Sequence, residues 1–315
     1  MMGPMARQDP QTEPAHSPGV EARPVICCDL DGVLWRGDVP IPGSAEGVAR
    51  LRRAGYRVTF VTNNSGATTA ELCAKLARFG VDVGEHDVIS SALVAADYLV
   101  GALPPGASVM ACAGEGVRAA LLDRGFVLSE EKPAAVVVGW HRTFDFDGLT
   151  RAADAIRAGA LFVATNMDAT HPIGGGLLPG NGAIVAAVAA ASGVSPTVTG
   201  KPEWPTVETM RSRIGPDGVM VGDRPSTDGA LADALGWPFA LVLSGVTSDA
   251  PAVGGERVPD PPPRWVVTDF GAFARRVVDA GELGEIEAAP TGPRQHHREE
   301  CTTHEAPDVS DPRDL

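Results

Sequence analysis

The stretch Ile26-Cys27-Cys28-Asp29-Leu30-Asp31-Gly32-Val33-Leu34-Trp35 opens inside an apolar run and ends in two carboxylates two residues apart, with a glycine directly after them. Val25–Cys28 reads as a buried strand. In extended chain, residues i and i+2 point the same way, so Asp29 and Asp31 would face one site. Two acids at the end of a buried strand repel each other unless a cation or a set of hydrogen-bond donors offsets them.

Outward from this stretch, short β-branched runs alternate with Ala-rich amphipathic segments, the pattern of βαβ units around a parallel sheet. The predicted strands are Val25–Cys28, Arg57–Thr62, Ala134–Val138, Leu161–Ala164, Thr197–Thr199, Gly218–Val221, Ala240–Leu243 and Trp265–Val267. The predicted helices are Ser44–Ala54, Ala67–Phe79, Leu93–Leu99, Glu115–Asp123, Phe146–Ala158, Ala183–Ala191, Trp204–Ile214, Thr227–Leu235 and Phe270–Ala280. Thr68 or Thr69 ahead of Glu71, and Thr206 ahead of Glu208, read as helix N-caps; Gly80 and Gly236 read as closing glycines. Residues 1–22 and 284–315 lack periodicity and read as disordered arms. The Pro-rich run Ser248–Arg264 reads as a rigid surface connection.

Four features follow predicted strands: Asp29-Leu30-Asp31-Gly32, Thr62-Asn63-Asn64-Ser65, Gly200-Lys201-Pro202, and Gly222-Asp223-Arg224 with Asp228. In an open parallel sheet, ligands bind outside the carboxyl ends of the strands, so these segments should converge. Three or four carboxylates in one crevice call for a hard cation, and oxygen ligands of this kind suit Mg²⁺ beside a phosphate. Lys201 supplies a point charge for a phosphate oxygen, Thr62 and Asn63 supply neutral hydrogen bonds, and backbone amides at Gly32 can cradle transferring oxygens. One aspartate can attack phosphorus while the other carries the proton. Asp29, nearer the rigid strand, is the expected nucleophile; Asp31, on the turn, is the expected acid and base.

DLDGVLWRGD, TNNS, GKP and GDRPSTD, in that order, resemble the haloacid dehalogenase superfamily, most closely its NagD-like, 4-nitrophenylphosphatase and phosphoglycolate phosphatase subfamily (class IIA). The resemblance runs from about Val25 to about Ala280. It implies an α/β fold with a Rossmann-like parallel core and an inserted α/β cap. The domains would be core over 23–90, cap over 91–192 and core again over 193–283. It also implies a Mg²⁺-dependent phosphatase with Asp29 as nucleophile and Asp31 as acid and base. Metal ligands would be Asp29, Asp31 through its main-chain carbonyl, and Asp223, with Asp228 in support. Thr62, Asn63, Asn64 and Lys201 would hold the phosphoryl group. The segment TNMDATHP, residues 165–172, is similar to the family's substrate loop, which makes Asn166, Asp168 and His171 candidates for substrate contact. The same resemblance suggests a homodimer through the cap.

The alternatives on this scaffold are a phosphotransferase and a non-catalytic binder. The substrate stays open among phosphoglycolate, glycerol phosphate, pyridoxal phosphate and sugar phosphates. The net charge of −14 disfavours nucleic acid and anionic membrane as partners. The N-terminus has no apolar core of the kind a signal peptide needs, the longest apolar stretch, around Ala183–Ala191, is too short to span a bilayer, and five cysteines without framework spacing suit a reducing cytoplasm. Cys27 and Cys28 read as packing. Gly174–Gly176 and Gly180-Asn181-Gly182 could suggest a dinucleotide loop, but the preceding Leu178-Pro179 does not read as a strand, which disfavours one. His296, His297, Cys301 and His304 read as a solvated tail, not a metal site.

Overall fold

The computed structural model describes residues 23–173, 176–247 and 262–283. Six parallel strands form one sheet in the order Trp265–Val267, Phe239–Val242, Gly218–Gly222, Val25–Cys28, Val58–Thr62, Val88–Ser90. The chain starts in the middle of this sheet, runs out to one edge, and later returns to fill the other side. The reversal lies between Val25–Cys28 and Gly218–Gly222, which pair with Cys28 beside Val221. Strand connections leave in opposite directions at that seam and open a crevice at its carboxyl end. Asp29 and Asp223 are the residues that step off these two neighbouring strands.

Alternation fixes which residues are covered. Cys27, Val61, Ile89 and Met220 meet Val207, Met210 and Leu231 in one apolar cluster. Helix Ser44–Arg53 packs against helix Phe270–Asp279, which buries Phe270 and Phe273 completely.

A second parallel sheet has the order Thr197–Val198, Leu161–Ala164, Ala135–Val138, Ser108–Cys112, Val127–Leu128. Its two faces split by strand parity. Val137 packs with Leu99, Val117 and Leu121 from helices Ser91–Ala102 and Glu115–Asp123. Val136 and Val138 pack with Ile156, Val185 and Val188 from helices Phe146–Arg157 and Asn181–Ser192. The edge strand Thr197–Val198 pairs in parallel with Leu161–Ala164.

Several elements depart from the sequence reading. Val88–Ser90 and Ser108–Cys112 are strands that the pattern did not mark. The first runs straight into the helix capped by Ser90, whose Oγ accepts from the Leu93 amide. The second has Val109 as its one β-branched residue among Ser, Met, Ala and Cys. Residues 170–173 and 176–179, read as loop, form an antiparallel pair with His171 opposite Leu178. Thr206 is not a cap: it sits inside helix Trp204–Arg213, where its hydroxyl donates to the Thr199 carbonyl at 2.7 Å. Thr68 does cap its helix, in a reciprocal box with Glu71. The predicted helix at Thr227 begins as a wider π-type turn over Pro225–Gly229 and becomes α-helical at Ala230. Most of Ser248–Arg264, both arms and the tail histidines with Cys301 lie outside the described residues.

Candidate active site

The four strand-end segments meet at one cavity of about 340 Å³. Its floor comes from the seam. The Asp29 amide donates to the Val221 carbonyl at 2.9 Å, tying the first motif to the strand that carries Asp223. Ligand oxygens of Asp29, Asp223 and Asp228 lie within 4.8 Å of one another, and all three residues are buried. Lys201 Nζ is buried among them, donating to Asp29 Oδ1 at 2.7 Å, to Asp228 Oδ1 at 2.7 Å and to the Val61 carbonyl at 3.1 Å. Those three bonds use all three ammonium protons.

Asp223 is held differently. Its Oδ2 accepts the Val246 amide at 2.6 Å, while its Oδ1 is buried without any hydrogen-bond partner. Gly32, at φ +85, and Gly245 press against this carboxylate, and a Cβ on either would collide with it. A buried carboxylate oxygen left unpaired is costly, and its residue belongs with Asp29 and Asp228 to one cluster of three oxygen donors. That donor set fits a small hard divalent cation.

The electrostatics agree. Burial pushes the Asp29 carboxyl well up; Lys201 opposes this, and Asp228 and Asp223 add to it. Burial, then Asp228, raises Asp223 to about 7. Burial alone would lower the Lys201 ammonium, but Asp228 and Asp29 outweigh it and hold it raised. Three carboxyl groups thus stand against one ammonium, an imbalance that a divalent cation would correct.

Two family models match the chain: Haloacid dehalogenase-like hydrolase over residues 26–127, and HAD-hydrolase-like over residues 198–273. The D-glycerol 3-phosphate phosphatase of Mycobacterium tuberculosis is 41% identical over 241 residues, covering 75% of this chain and 67% of that one. The acid sugar phosphatase of Staphylococcus aureus is 36% identical over 224 residues, covering 70% and 86%. The solved glycerol phosphate phosphatase from M. tuberculosis in complex with magnesium superposes with a TM-score of 0.73 at 37% identity, over 80% of this chain and 76% of that one. NagD from E. coli superposes with a TM-score of 0.69 at 29% identity, over 79% and 98%. The chain belongs to the haloacid dehalogenase-like hydrolases.

In this hydrolase the expected site residues divide by what their atoms are already doing. Thr62 lines the cavity, and its Oγ1 accepts the Asn64 amide at 3.1 Å. Asn63 is occupied: its Oδ1 accepts the Lys201 amide at 2.8 Å and its Nδ2 donates to the Lys201 carbonyl at 3.2 Å. It therefore fixes the backbone of the lysine. Asn64 closes a turn by accepting from Gly66 and Ala67 amides. Asn166 donates to the Asn63 carbonyl at 2.7 Å and so joins the second sheet to the first. Asp168 lines the cavity within 3.3 Å of Asn63 Nδ2, and burial raises its carboxyl. Asp228 has one oxygen on Lys201 and the other accepting the Arg224 amide, which makes it the counter-ion of the lysine.

His171 stacks on Trp140 with ring centroids 4.4 Å apart, and Trp140 Nε1 donates to the Pro179 carbonyl of the same hairpin. Burial lowers the His171 imidazole. Trp140 went unread because it follows Val138-Gly139 without a recognisable motif. Arg224, Gly245 and Val246 went unread as well. Arg224 lies inside GDRPSTD, and burial is outweighed there by Asp223 and Asp168, which hold its guanidinium raised. Val246 contributes only a backbone amide, which no side-chain pattern marks; its position after strand Phe239–Val242 was the available signal. Cys27 and Cys28 are free, fully buried and part of the sheet. No helix among the described residues is long and apolar enough to cross a membrane.

Proposed function

We propose that this protein is a Mg²⁺-dependent phosphatase of a small phosphorylated metabolite, working through an aspartyl-phosphate on Asp29. The observation that carries this reading is Asp29 itself: a buried carboxylate at the sheet seam, with one oxygen fixed by Lys201 and the orphaned oxygen of Asp223 in the same cluster. Asp29, Asp223 and the Asp31 main-chain carbonyl would hold the ion. Bound there, Mg²⁺ supplies charge neutralisation for phosphoryl oxygens.

Lys201 works against the burial that raises the Asp29 carboxyl and fixes one of its oxygens, leaving the other to attack. The new Asp29 O–P bond forms as the bond from phosphorus to the leaving oxygen breaks, and Asp31 gives its proton to that oxygen, releasing the alcohol. The Asp31 carboxylate then takes a proton from water as the water oxygen attacks phosphorus. Asp29 is thereby regenerated and inorganic phosphate leaves. Thr62 is placed to donate to the phosphoryl group. Lys201 can do so only by exchanging one of its three present bonds.

We assign the second sheet and its helices to a cap that carries Asp168, His171 and Leu177 to the cavity. About 340 Å³ suits a small metabolite. The names of the relatives favour glycerol phosphate or a sugar phosphate. A screen over phosphoglycolate, glycerol phosphate, pyridoxal phosphate, sugar phosphates and 4-nitrophenyl phosphate is expected to release phosphate with Mg²⁺ and to fall silent in EDTA. Phosphate release from none of them would overturn the reading. His171→Ala is expected to reorder the preferred substrates.

Proton competition gives a second test. Asp223 titrates near 3.8 unfolded and about 7 in the metal-free fold. The folded state therefore binds more protons between those values, and metal-free stability falls as pH rises through that window. Mg²⁺ must displace the proton below about pH 7, weakening its binding by about tenfold per pH unit. The rise in melting temperature with Mg²⁺ is expected to be larger at pH 8 than at pH 5.5; an equal rise would remove Asp223 from the ligand set.

A further inference from the structure

Asp31 differs from Asp29 in how it is held. It stands on the turn after the strand, partly exposed at the cavity wall, and a carboxylate there can rotate unless a partner stops it. The partner is Trp35, whose indole Nε1 donates to Asp31 Oδ1 at 2.8 Å. Trp35 is 1% exposed and does not line the cavity, so it cannot touch the substrate.

The indole is itself fixed on two sides. Phe79 packs on it at 5.7 Å, and Lys75 Nζ lies 4.5 Å from its ring centroid. Lys75 is anchored by donating to the Gly37 carbonyl at 2.7 Å, with Asp38 3.6 Å away. The backbone adds a brace, since the Gly32 amide donates to the Trp35 carbonyl at 2.7 Å. An indole N–H is a donor with no acceptor function, so it holds a carboxyl oxygen without competing for the proton that group carries.

We infer that Trp35 is a positioning residue for proton transfer. Its N–H holds Oδ1 of Asp31 so that the proton is carried on Oδ2, toward the leaving oxygen, and Lys75 keeps the indole in place. This rests on the reading of Asp31 as acid and base.

The leaving group provides the test. An alkoxide needs a proton as it departs, whereas 4-nitrophenolate is a weak base and needs little help. The kcat/KM value covers events only up to phosphoryl transfer onto Asp29, so the later attack of water does not blur the comparison. Trp35→Phe keeps the ring and removes the donor. It is expected to lower kcat/KM up to about tenfold for the best alkyl phosphate of the screen, the upper end of the scale of one neutral hydrogen bond. For 4-nitrophenyl phosphate the loss should stay under about threefold on the same scale.

Equal losses on both substrates would overturn the inference, because a packing defect does not sense the leaving group. Asp31→Asn run alongside separates the two readings. If it leaves the ratio of the two substrates unchanged, the assignment of Asp31 fails. If it collapses the ratio while Trp35→Phe does not, the inference on Trp35 alone fails. Should Trp35→Phe lose cooperative melting, Lys75→Met carries the test. A partial fall in the ratio then supports the inference, and an unchanged ratio overturns it.

Discussion

Asp29→Asn is expected to lose turnover by at least about 10⁴-fold, the scale on which removal of a catalytic nucleophile acts, while melting no lower than the parent in metal-free buffer. The two outcomes have one cause. Asp29 is buried beside Asp228 and Asp223, and burial with those charges pushes its carboxyl up. Ionised Asp29 thus costs stability in the absence of the ion. An amide of the same shape removes that charge, and Lys201 retains Asp228 and the Val61 carbonyl as partners. The gain is expected to grow with pH, because the parent carboxyl ionises as pH rises and the amide does not. Added Mg²⁺ should then stabilise the variant less than the parent, since one ligand oxygen has lost its charge. Phosphate release and thermal melting with and without Mg²⁺ check both halves. A variant that melts well below the parent at pH 8 without metal would show that Asp29 is a net structural asset and would contradict this account of the cluster.

Much of this site was legible because its chemistry is carried by charged side chains beside strand ends. Asp29, Lys201 and Asp223 stand in motifs that the chain brackets with glycine or proline, and an open parallel sheet collects such positions at one edge. The seam followed less directly: that Gly218–Gly222 lies beside Val25–Cys28 is a matter of strand order, which local pattern does not encode. Roles within the motifs were harder to read. Asn63 and Asn64 have the same side chain one residue apart, yet one fixes the Lys201 backbone and the other closes a turn. Nothing in residue type distinguishes them; the direction of each side chain off the strand end does. Asp228 looks like a metal ligand by sequence; in the fold it lies in the carboxylate cluster with Asp29 and Asp223 while one of its oxygens takes Lys201 and the other the Arg224 amide. The groups that complete Asp223, the Val246 amide and the close approach of Gly245, act through backbone and through the absence of a Cβ. Both arrive from a turn more than 20 residues away, so only the assembled fold reveals them.

Lys201→Met should be the more damaging change to the fold. The lysine is buried and neutralises Asp29 and Asp228 through bonds of 2.7 Å each. Removing one partner of a buried ion pair costs about 3–5 kcal/mol, because the remaining charge is neither solvated nor paired. For a chain of this size that corresponds to a fall in melting temperature of about 6–10 °C. Methionine fills the volume of the alkyl stem, so the loss reports the charge and not a cavity. The variant should also be inactive, since the nucleophile loses the group that fixes its oxygen. Its stability should decline as pH rises: without the ammonium that opposes the upward shift of Asp29, that carboxyl binds its proton more tightly in the fold than in the unfolded chain, so folding is favoured at low pH and weakened above it. The double variant Asp29→Asn, Lys201→Met isolates the interaction. With only Asp228 left charged, it is expected to recover part of the lost stability at pH 8, so that the two single effects fail to add. Additive losses would mean that the lysine acts through packing, and the electrostatic account of the site would have to be abandoned.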